Sequence, residues 1–330
     1  MMDVHRMRHI VDVAATGALP DVAHHAMRRW EGSSLAYVRS SANHVFRITL
    51  DGRPCYLRLT HTLERSREAI VAELDFVQHV SHAGVLVALP LPSAASSLIE
   101  EVEADGERYY AVVFEGLTGN EYDPEELDAA HYRTWGRMLA RVHQASRAFP
   151  PTTARPTWQD VIRATRDALP AEERSLAQRL DTGLAWLQGL SLQPNDTGLL
   201  HGDCELDNLV WAEGRCQVLD FESAMYAPYT VDIAITLEDV WQTQDDRREH
   251  WIAAFCDGYR EVSPLPIGFP DMSEPIRSLL LATKLARLML AYRAYPRPVD
   301  AEHPSWLANM QARHSQWIAT KRASLALESP

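Results

Sequence analysis

The arrangement of apolar and polar positions changes character along the chain. Between residues 34 and 60, LAYV, HVFRITL and PCYLRLT alternate β-forming and polar residues, the period-two signature of half-buried strands. The turn-like SSAN separates the first two runs, and Asp51-Gly52 separates the second two, a short-range hairpin signal. Leu63 to Val80 carries Ile70, Leu74 and Val77 on one helical face. SSLIEEVEA and RYYAVVFE read as two more strands, joined through Asp105-Gly106. The expected order is three strands, one helix and two strands, with a helix or two ahead of them between Val4 and Trp30.

The Gly-containing stretch EGLTGN, residues 115 to 120, reads as a hinge. Beyond it the chain turns helical. Asp123-Pro124-Glu125-Glu126 has the Asp cap, first-turn Pro and third-position Glu of a helix start, and Leu127, Trp135, Met138, Leu139 and Val142 form its apolar stripe. Further helices are expected near residues 158–168, 171–190, 246–262, 274–295 and 304–327. One stretch interrupts this half with strand character: LLHGDCELDNLVWAEGRCQVLDFE, Leu199 to Glu222. Its LVW and CQVLDF runs flank Ala-Glu-Gly-Arg and predict another hairpin. The fold class is therefore α+β. A length of 330 residues suggests roughly two domains, and these divide into a mixed small lobe (1–114), a hinge (115–120) and a helical large lobe (121–330).

Composition narrows the class. The chain is 46% hydrophobic and 23% charged, ordinary for a globular enzyme. No apolar run reaches the ~20 residues of a membrane helix; the nearest, Ser278 to Tyr292, is broken by Lys284 and Arg287. Asp3, His5 and Asp12 break any signal-peptide core at the N-terminus. Cys55, Cys204, Cys216 and Cys256 are scattered without CxxC pairing, which suggests neither a disulfide framework nor a zinc site. Reduced thiols fit a cytoplasmic location. A net charge of −13 argues against a nucleic-acid partner. Oligomeric state is not legible.

The interrupting stretch carries the chemistry. The hairpin places Asn208 at the base of one strand and Asp220 at the end of the other, while Asp203 lies on the loop leading in. Two carboxylates and an amide can therefore converge. Such oxygens suit magnesium, which takes one or two carboxylates plus substrate phosphates. Asn208 and Asp220 can hold the metal, leaving Asp203 to accept a proton from a hydroxyl nucleophile. The Asp-x-x-x-x-Asn spacing, with Asp-Phe following, matches the kinase catalytic loop and its metal aspartate.

His201-Gly202-Asp203-Cys204-Glu205-Leu206-Asp207-Asn208 with Leu219-Asp220-Phe221-Glu222 and Asp232-Ile233-Ala234 resembles the aminoglycoside phosphotransferase/choline kinase-like family. That family includes type II homoserine kinase, hydroxylysine kinase and stress-response kinase A. The resemblance covers most of the chain and implies a protein-kinase-like two-lobed fold, with ATP and Mg2+ as cofactors. It implies that Asp203 is the catalytic base, that Asn208 and Asp220 are metal ligands, and that His201 and Asp232 support the loop. Arg58 stands where kinases have the strand-three lysine, and Glu73 resembles the helix glutamate that pairs with it. Ser41, Ala42 and Asn43 resemble the phosphate-covering loop. Phe114, Glu115 and Leu117 lie in the segment that should hold adenine. Glu205, Glu238 and Asp239 are acceptor-contact candidates. Departures are Arg58 for lysine, the lack of GxGxxG, Glu205 where many members have His, and Ala227 where Gly is frequent.

Structural readings stand beside these. His143 reads as a core helix histidine. Trp241, Trp251, Tyr259, Tyr292, Tyr295 and Trp306 read as packing, although they could line a cation pocket. Lys321 and Arg322 read as a solvated helix end. The expected reaction is phosphoryl transfer to a hydroxyl of a small molecule, for which a cationic type is compatible with the acidic chain: an amino alcohol or amino acid first, an aminoglycoside-like antibiotic second. A protein Ser/Thr hydroxyl is the alternative. A non-catalytic nucleotide-binding module and a metal-dependent phosphohydrolase using His201, Asp203 and Asp220 are the rivals from other classes.

Overall fold

The computed structural model describes residues 2–243, 245–270, 273–293, 295 and 304–326. Two helices open the chain, α1 (Val4–Ala15) and α2 (Asp21–Arg29). Three strands follow, β1 (Ser33–Ser40), β2 (His44–Leu50) and β3 (Arg53–His61), then α3 (Arg67–His82), β4 (Pro90–Leu91), β5 (Glu100–Ala104) and β6 (Glu107–Glu115). All pairings are antiparallel, in the order β1-β2-β3-β6-β4, with β5 also paired to β6. One face of the sheet buries Phe46, Ile48, Leu57 and Leu59 against Ile10, Val22, Ala26 and Trp30 of the opening segment. Ile70 and Leu74 of α3 pack with Ile99 and Val112. Phe76, Val77 and Val80, further along α3, join the core of the helical half. One helix therefore serves both halves.

Local physics explains the shifted boundaries. The helix expected from Leu63 begins four residues later, at Arg67. The Ser66 hydroxyl accepts the Ala69 N–H at 3.2 Å, a capping bond, while Leu63 and Glu64 are turned back onto His61. The strand expected from Ser96 starts at Glu100, because Ser93 Oγ accepts the N–H groups of Ala95 and Ser97 and holds a turn there. Asp123 starts only a single 3-10 turn; the long helix waits for Asp128, whose carboxylate accepts the His131 N–H at 3.0 Å.

The helical half comprises α4 (Ala129–Ala148), α5 (Trp158–Asp167), α6 (Arg174–Gln188), α7 (Tyr229–Thr236), α8 (Glu238–Gln242), α9 (Arg248–Arg260), α10 (Ser273–Arg293) and α11 (Ser305–Ser324). Ala294 and Leu327, inside the expected helices, lie outside the described residues. Between α6 and α7 run β7 (Thr197–Leu199), the hairpin of β8 (Leu209–Ala212) and β9 (Arg215–Val218), and β10 (Tyr226–Pro228), which pairs with β7. The first and last helices also meet. Met2, Met7 and Val11 pack with Trp306 and Met310, Val4 packs with Leu307 and Tyr295, and the Trp306 indole donates to Asp12 at 2.9 Å. Of the other aromatics, Trp251 and Tyr259 are core residues and Trp241 packs against the core, whereas Tyr292 is 37% exposed. Among the described residues no helix is long and apolar enough to cross a membrane. All four cysteines are buried and unpaired.

Helices α4 and α9 cross with their backbones nearly touching. A Cβ on Gly136 would sit 2.0 Å from the Phe255 carbonyl oxygen, and one on Gly258 would sit 1.8 Å from that of Arg133. The opposing atoms are backbone and cannot swing aside. Gly136→Ala is expected to destabilise the protein by about 3 kcal/mol or more despite alanine's better helix propensity. Urea unfolding checks this, and an unchanged midpoint would show that the crossing is not tight.

Candidate active site

The catalytic-loop motif is organised around Asp232, fully buried on α7. Its Oδ2 accepts the His201 N–H at 3.0 Å and its Oδ1 the Gly202 N–H at 2.9 Å. The His143 Nε2 lies 3.0 Å from Oδ2. Burial alone would raise this carboxyl, but the hydrogen bond from His143, with that from the Gly202 N–H, helps hold it below its usual range. Burial lowers His143 itself, so the ring is neutral: Nε2–H donates to Asp232 and Nδ1 accepts from the Tyr259 hydroxyl at 2.8 Å. The ring of His201 is also fully engaged. Its Nδ1 accepts the Asp203 N–H at 3.2 Å and its Nε2 donates to the Leu219 carbonyl at 3.1 Å. Gly202, at φ +79°, lets the loop pass Ser223; a Cβ there would meet the Ser223 carbonyl oxygen at 2.4 Å.

The hairpin brings Asp203, Asn208 and Asp220 into one neighbourhood. The Asn208 amide nitrogen donates to the Asp203 carbonyl at 2.8 Å and to its Oδ2 at 3.0 Å. That leaves Asn208 Oδ1 without a hydrogen-bond partner among the described residues. The Leu219 N–H donates to the Asn208 carbonyl at 3.0 Å, extending the β8–β9 ladder toward the loop. Asp220 follows in the left-handed region at φ 65°, a conformation that costs a non-glycine residue ~1–3 kcal/mol and clusters at functional sites. Burial pushes the Asp203 carboxyl up. Among the described residues, no three His, Cys, Asp or Glu side chains gather as a metal cluster. The available donors are instead the free Asn208 amide oxygen and the Asp220 carboxylate. This oxygen-only pair fits a hard cation that completes its shell with phosphate and water.

Across the cleft, Arg58 lies on β3, buried against Glu73 of α3 with Nη1 2.6 Å from the carboxylate. Burial opposes charge on both residues. The Arg58 and Arg65 charges nonetheless hold Glu73 down to about 2, and Glu73 keeps Arg58 above its usual value. The Arg58 guanidinium also lies 5.0 Å over the Phe114 ring. Its Nε and Nη2 are buried with no hydrogen-bond partner. Two buried, charged, unsatisfied donors are costly, and an anionic phosphate is the kind of group that satisfies them.

The phosphate-loop residues are placed unevenly. Ser41 is exposed at the β1–β2 turn, with its N–H donated to the Asn43 carbonyl at 3.0 Å and its own carbonyl accepting from Met2 at 3.1 Å. Asn43 is buried. Its oxygen accepts from Thr60 at 2.6 Å and its amide donates to Glu222. In the hinge, the Glu115 carboxylate accepts the Leu89 N–H at 3.2 Å, and Gly116 donates to Pro54 at 3.1 Å. Leu117 makes no backbone hydrogen bond among the described residues.

On the other side of Asp203, Glu205 and Glu238 hold Lys284 of α10 between them, at 2.7 and 2.5 Å. These groups line a cavity of about 750 Å³ together with Asp239. Asp239 does not continue the helix of Asp232: the chain breaks at Leu237, where α7 ends and α8 begins. Lys321, expected in solvent, lines the same cavity.

Three residues escaped sequence reading. Arg65 is the second cation on Glu73, at 2.7 Å. Lys284 had looked only like a charge interrupting an apolar run. Arg155, buried ahead of α5, donates from Nε to the Ala224 carbonyl at 2.7 Å, from Nη1 to the Ala69 carbonyl at 3.3 Å, and from Nη2 to the Glu222 carbonyl. It thus joins α3 to the loop after Asp220 entirely through main-chain oxygens, which leave no motif.

Comparison with known proteins agrees with the fold. The model of the phosphotransferase enzyme family matches residues 36–266, and the chain belongs to that family. It is an enzyme of the kinase class, which transfers phosphoryl groups to an alcohol acceptor. It is 25% identical over 281 residues to amicoumacin kinase of Bacillus subtilis (strain 168), covering 80% of this chain and 82% of that protein. The serine/threonine protein kinase RdoA of Salmonella typhimurium is 24% identical, over 83% of this chain and 82% of its own. A solved structure of the amicoumacin kinase hAmiN with AMP-PNP, Ca2+ and Ami has a TM-score of 0.77 at 20% identity, covering 97% of this chain and 96% of that one.

Two outcomes follow from the buried ion groups. Arg155→Met strands three carbonyls and is expected to cost roughly 2–4 kcal/mol by urea unfolding; a loss below 0.5 kcal/mol would show that the bridge is dispensable. Glu73 has its folded value depressed from 4.5 to about 2. Its contribution is therefore present above pH 4.5 and is lost as pH falls toward 2, at about 1.4 kcal/mol per pH unit. Glu73→Gln should remove that part of the slope when unfolding midpoints at about pH 5 and pH 3 are compared. An unaltered slope would show that Glu73 titrates normally.

Proposed function

We propose that this protein transfers the γ-phosphoryl group of ATP, with magnesium, to a hydroxyl of a small molecule. The observation that carries this reading is the placement of Asn208 and Asp220 beside Asp203, with Arg58 presenting two unsatisfied buried donors. Residues 1–114 form the nucleotide lobe, 115–120 the hinge and 121–330 the helical acceptor lobe. The unpaired Leu117 backbone supports adenine binding there. Arg58, positioned by Glu73, binds the α- and β-phosphates. Asn208 and Asp220 hold magnesium, which when bound neutralises charge on the phosphates. Asp203 orients the acceptor hydroxyl and takes its proton. Its raised affinity for a proton suits that task. Ser41 caps the phosphates from the loop tip. Asn43 supports that loop through Thr60 and Glu222.

The cavity of about 750 Å³ lined by Glu205 favours a small molecule over a protein Ser/Thr hydroxyl, the alternative raised by the serine/threonine kinase relative. The phosphohydrolase reading needs a nitrogen of His201 for metal, and both are occupied in holding the loop. The buried, unpaired thiols support a cytoplasmic location.

ATP with magnesium should raise the melting temperature of the wild type, and much less that of Asp220→Ala, since a ligand binding only the folded state stabilises by mass action. Asp203→Asn should lower turnover at least a thousandfold while keeping the nucleotide-induced shift. A wild type that responds to no nucleotide would refute the reading. An active Asp203→Asn would refute the base.

A further inference from the structure

Building on the proposed nucleotide and metal site, we infer that Asn43 positions the metal-binding Asp220 from across the cleft, by tying the tip of the β1–β2 hairpin to Glu222. Asn43 and Glu222 lie 179 positions apart in the chain, on opposite sides of the cleft. The Asn43 side chain is buried, and both its polar atoms are engaged. Its Oδ1 accepts the Thr60 hydroxyl at 2.6 Å, and its Nδ2 donates to Glu222 Oε2. Its carbonyl accepts the Ser41 N–H at 3.0 Å. One residue thus joins the hairpin tip, β3 and the loop after Asp220.

Asp220 needs outside support. Its backbone is left-handed, at φ 65°, a region that a non-glycine residue keeps only when its surroundings hold it there. On one side the Leu219 carbonyl is held by His201. On the other side Glu222 is fixed at three atoms. Its N–H donates to Asp220 Oδ1 at 3.3 Å, its carbonyl accepts from Arg155, and its carboxylate accepts from Asn43. Among the described residues no other hydrogen bond reaches that carboxylate. Without Asn43, a partly buried carboxylate two residues from the metal ligand loses its donor, a costly state that it leaves by turning elsewhere. Arg39, on β1 of the same hairpin, also brings Nη2 within 4.0 Å of Asp220 Oδ2, although a half-exposed pair of this kind adds little by itself. The hairpin therefore acts on the metal ligand as well as on the phosphates: Asp220 is set for metal when the hairpin is closed over the nucleotide.

Calorimetry on the full chain, with ATP plus Mg2+ and with ATP plus EDTA, separates this role from support of the phosphate-covering loop alone. Asn43→Ala should weaken MgATP binding about tenfold, the scale of one hydrogen bond to a charged group, and metal-free ATP binding less than about twofold. Glu222→Ala should show the same pattern. The double variant, which strands no carboxylate, should bind no more weakly than either single one, because the two residues act through one bond. Glu222→Gln keeps an oxygen for the Asn43 amide and should bind MgATP within about threefold of the wild type. Asn43→Ala binding MgATP as tightly as the wild type would overturn the inference. Equal losses with and without metal would do the same, since a residue that only shapes the phosphate loop weakens both. So would additive losses in the double variant, or a Glu222→Gln as weak as Glu222→Ala. These outcomes leave the phosphotransferase reading standing, whereas a wild type that binds neither form of ATP would overturn both.

Discussion

The buried carboxylate of Asp232 is the constraint on which the active-site loop depends. It takes two backbone N–H groups, from His201 and Gly202, and a third donor from His143. A charge inside a protein is tolerated only when its partners are fixed. Here those partners are the loop itself, so keeping Asp232 satisfied and keeping the loop in shape are the same requirement. His201 passes the constraint on by bonding the Leu219 carbonyl one residue before Asp220. The position of Asp220 is thereby tied to α7, although the two are separated in sequence by a turn and a strand.

The two sides of the cleft manage charge in opposite ways. On the nucleotide side one carboxylate, Glu73, is shared between Arg58 and Arg65. On the acceptor side one ammonium, Lys284, is shared between Glu205 and Glu238. The first arrangement sets two guanidinium groups around a single carboxylate. The second sets two carboxylates around a single ammonium, one of them two residues along the chain from Asp203. Strongly bound ion groups on both sides hold the reacting region between them without relying on flexible surface pairs, which contribute little.

The fold was legible from the sequence because it is written in local periodicities. The strand alternation around Asp51-Gly52, the apolar face of α3 and the hairpin after Asn208 all lie within short windows, and the resulting family and fold assignments agree with the comparisons. Legibility failed where a side chain decides a boundary, as with Ser66, Ser93 and Asp128. It failed again where a single long residue acts across the chain. Arg155 and Lys284 have partners 67 or more and 46 or more residues away respectively, with no spacing to betray them. Asn43, which the resemblance places in the phosphate-covering loop, turns its side chain inward to Thr60 and Glu222, a direction that no local motif encodes.

The contact between α1 and α11 has a consequence for how the molecule comes apart. The first helix belongs by sequence to the sheet, yet Met2, Met7 and Val11 share a small core with Trp306 and Met310 near the other end of the chain. The Met2 N–H is also bonded to Ser41 at the phosphate loop. Strain on either half is therefore felt at both chain ends. With α3 contributing to both main cores as well, the sheet and the helical half are expected to melt as one cooperative unit rather than as two domains in succession.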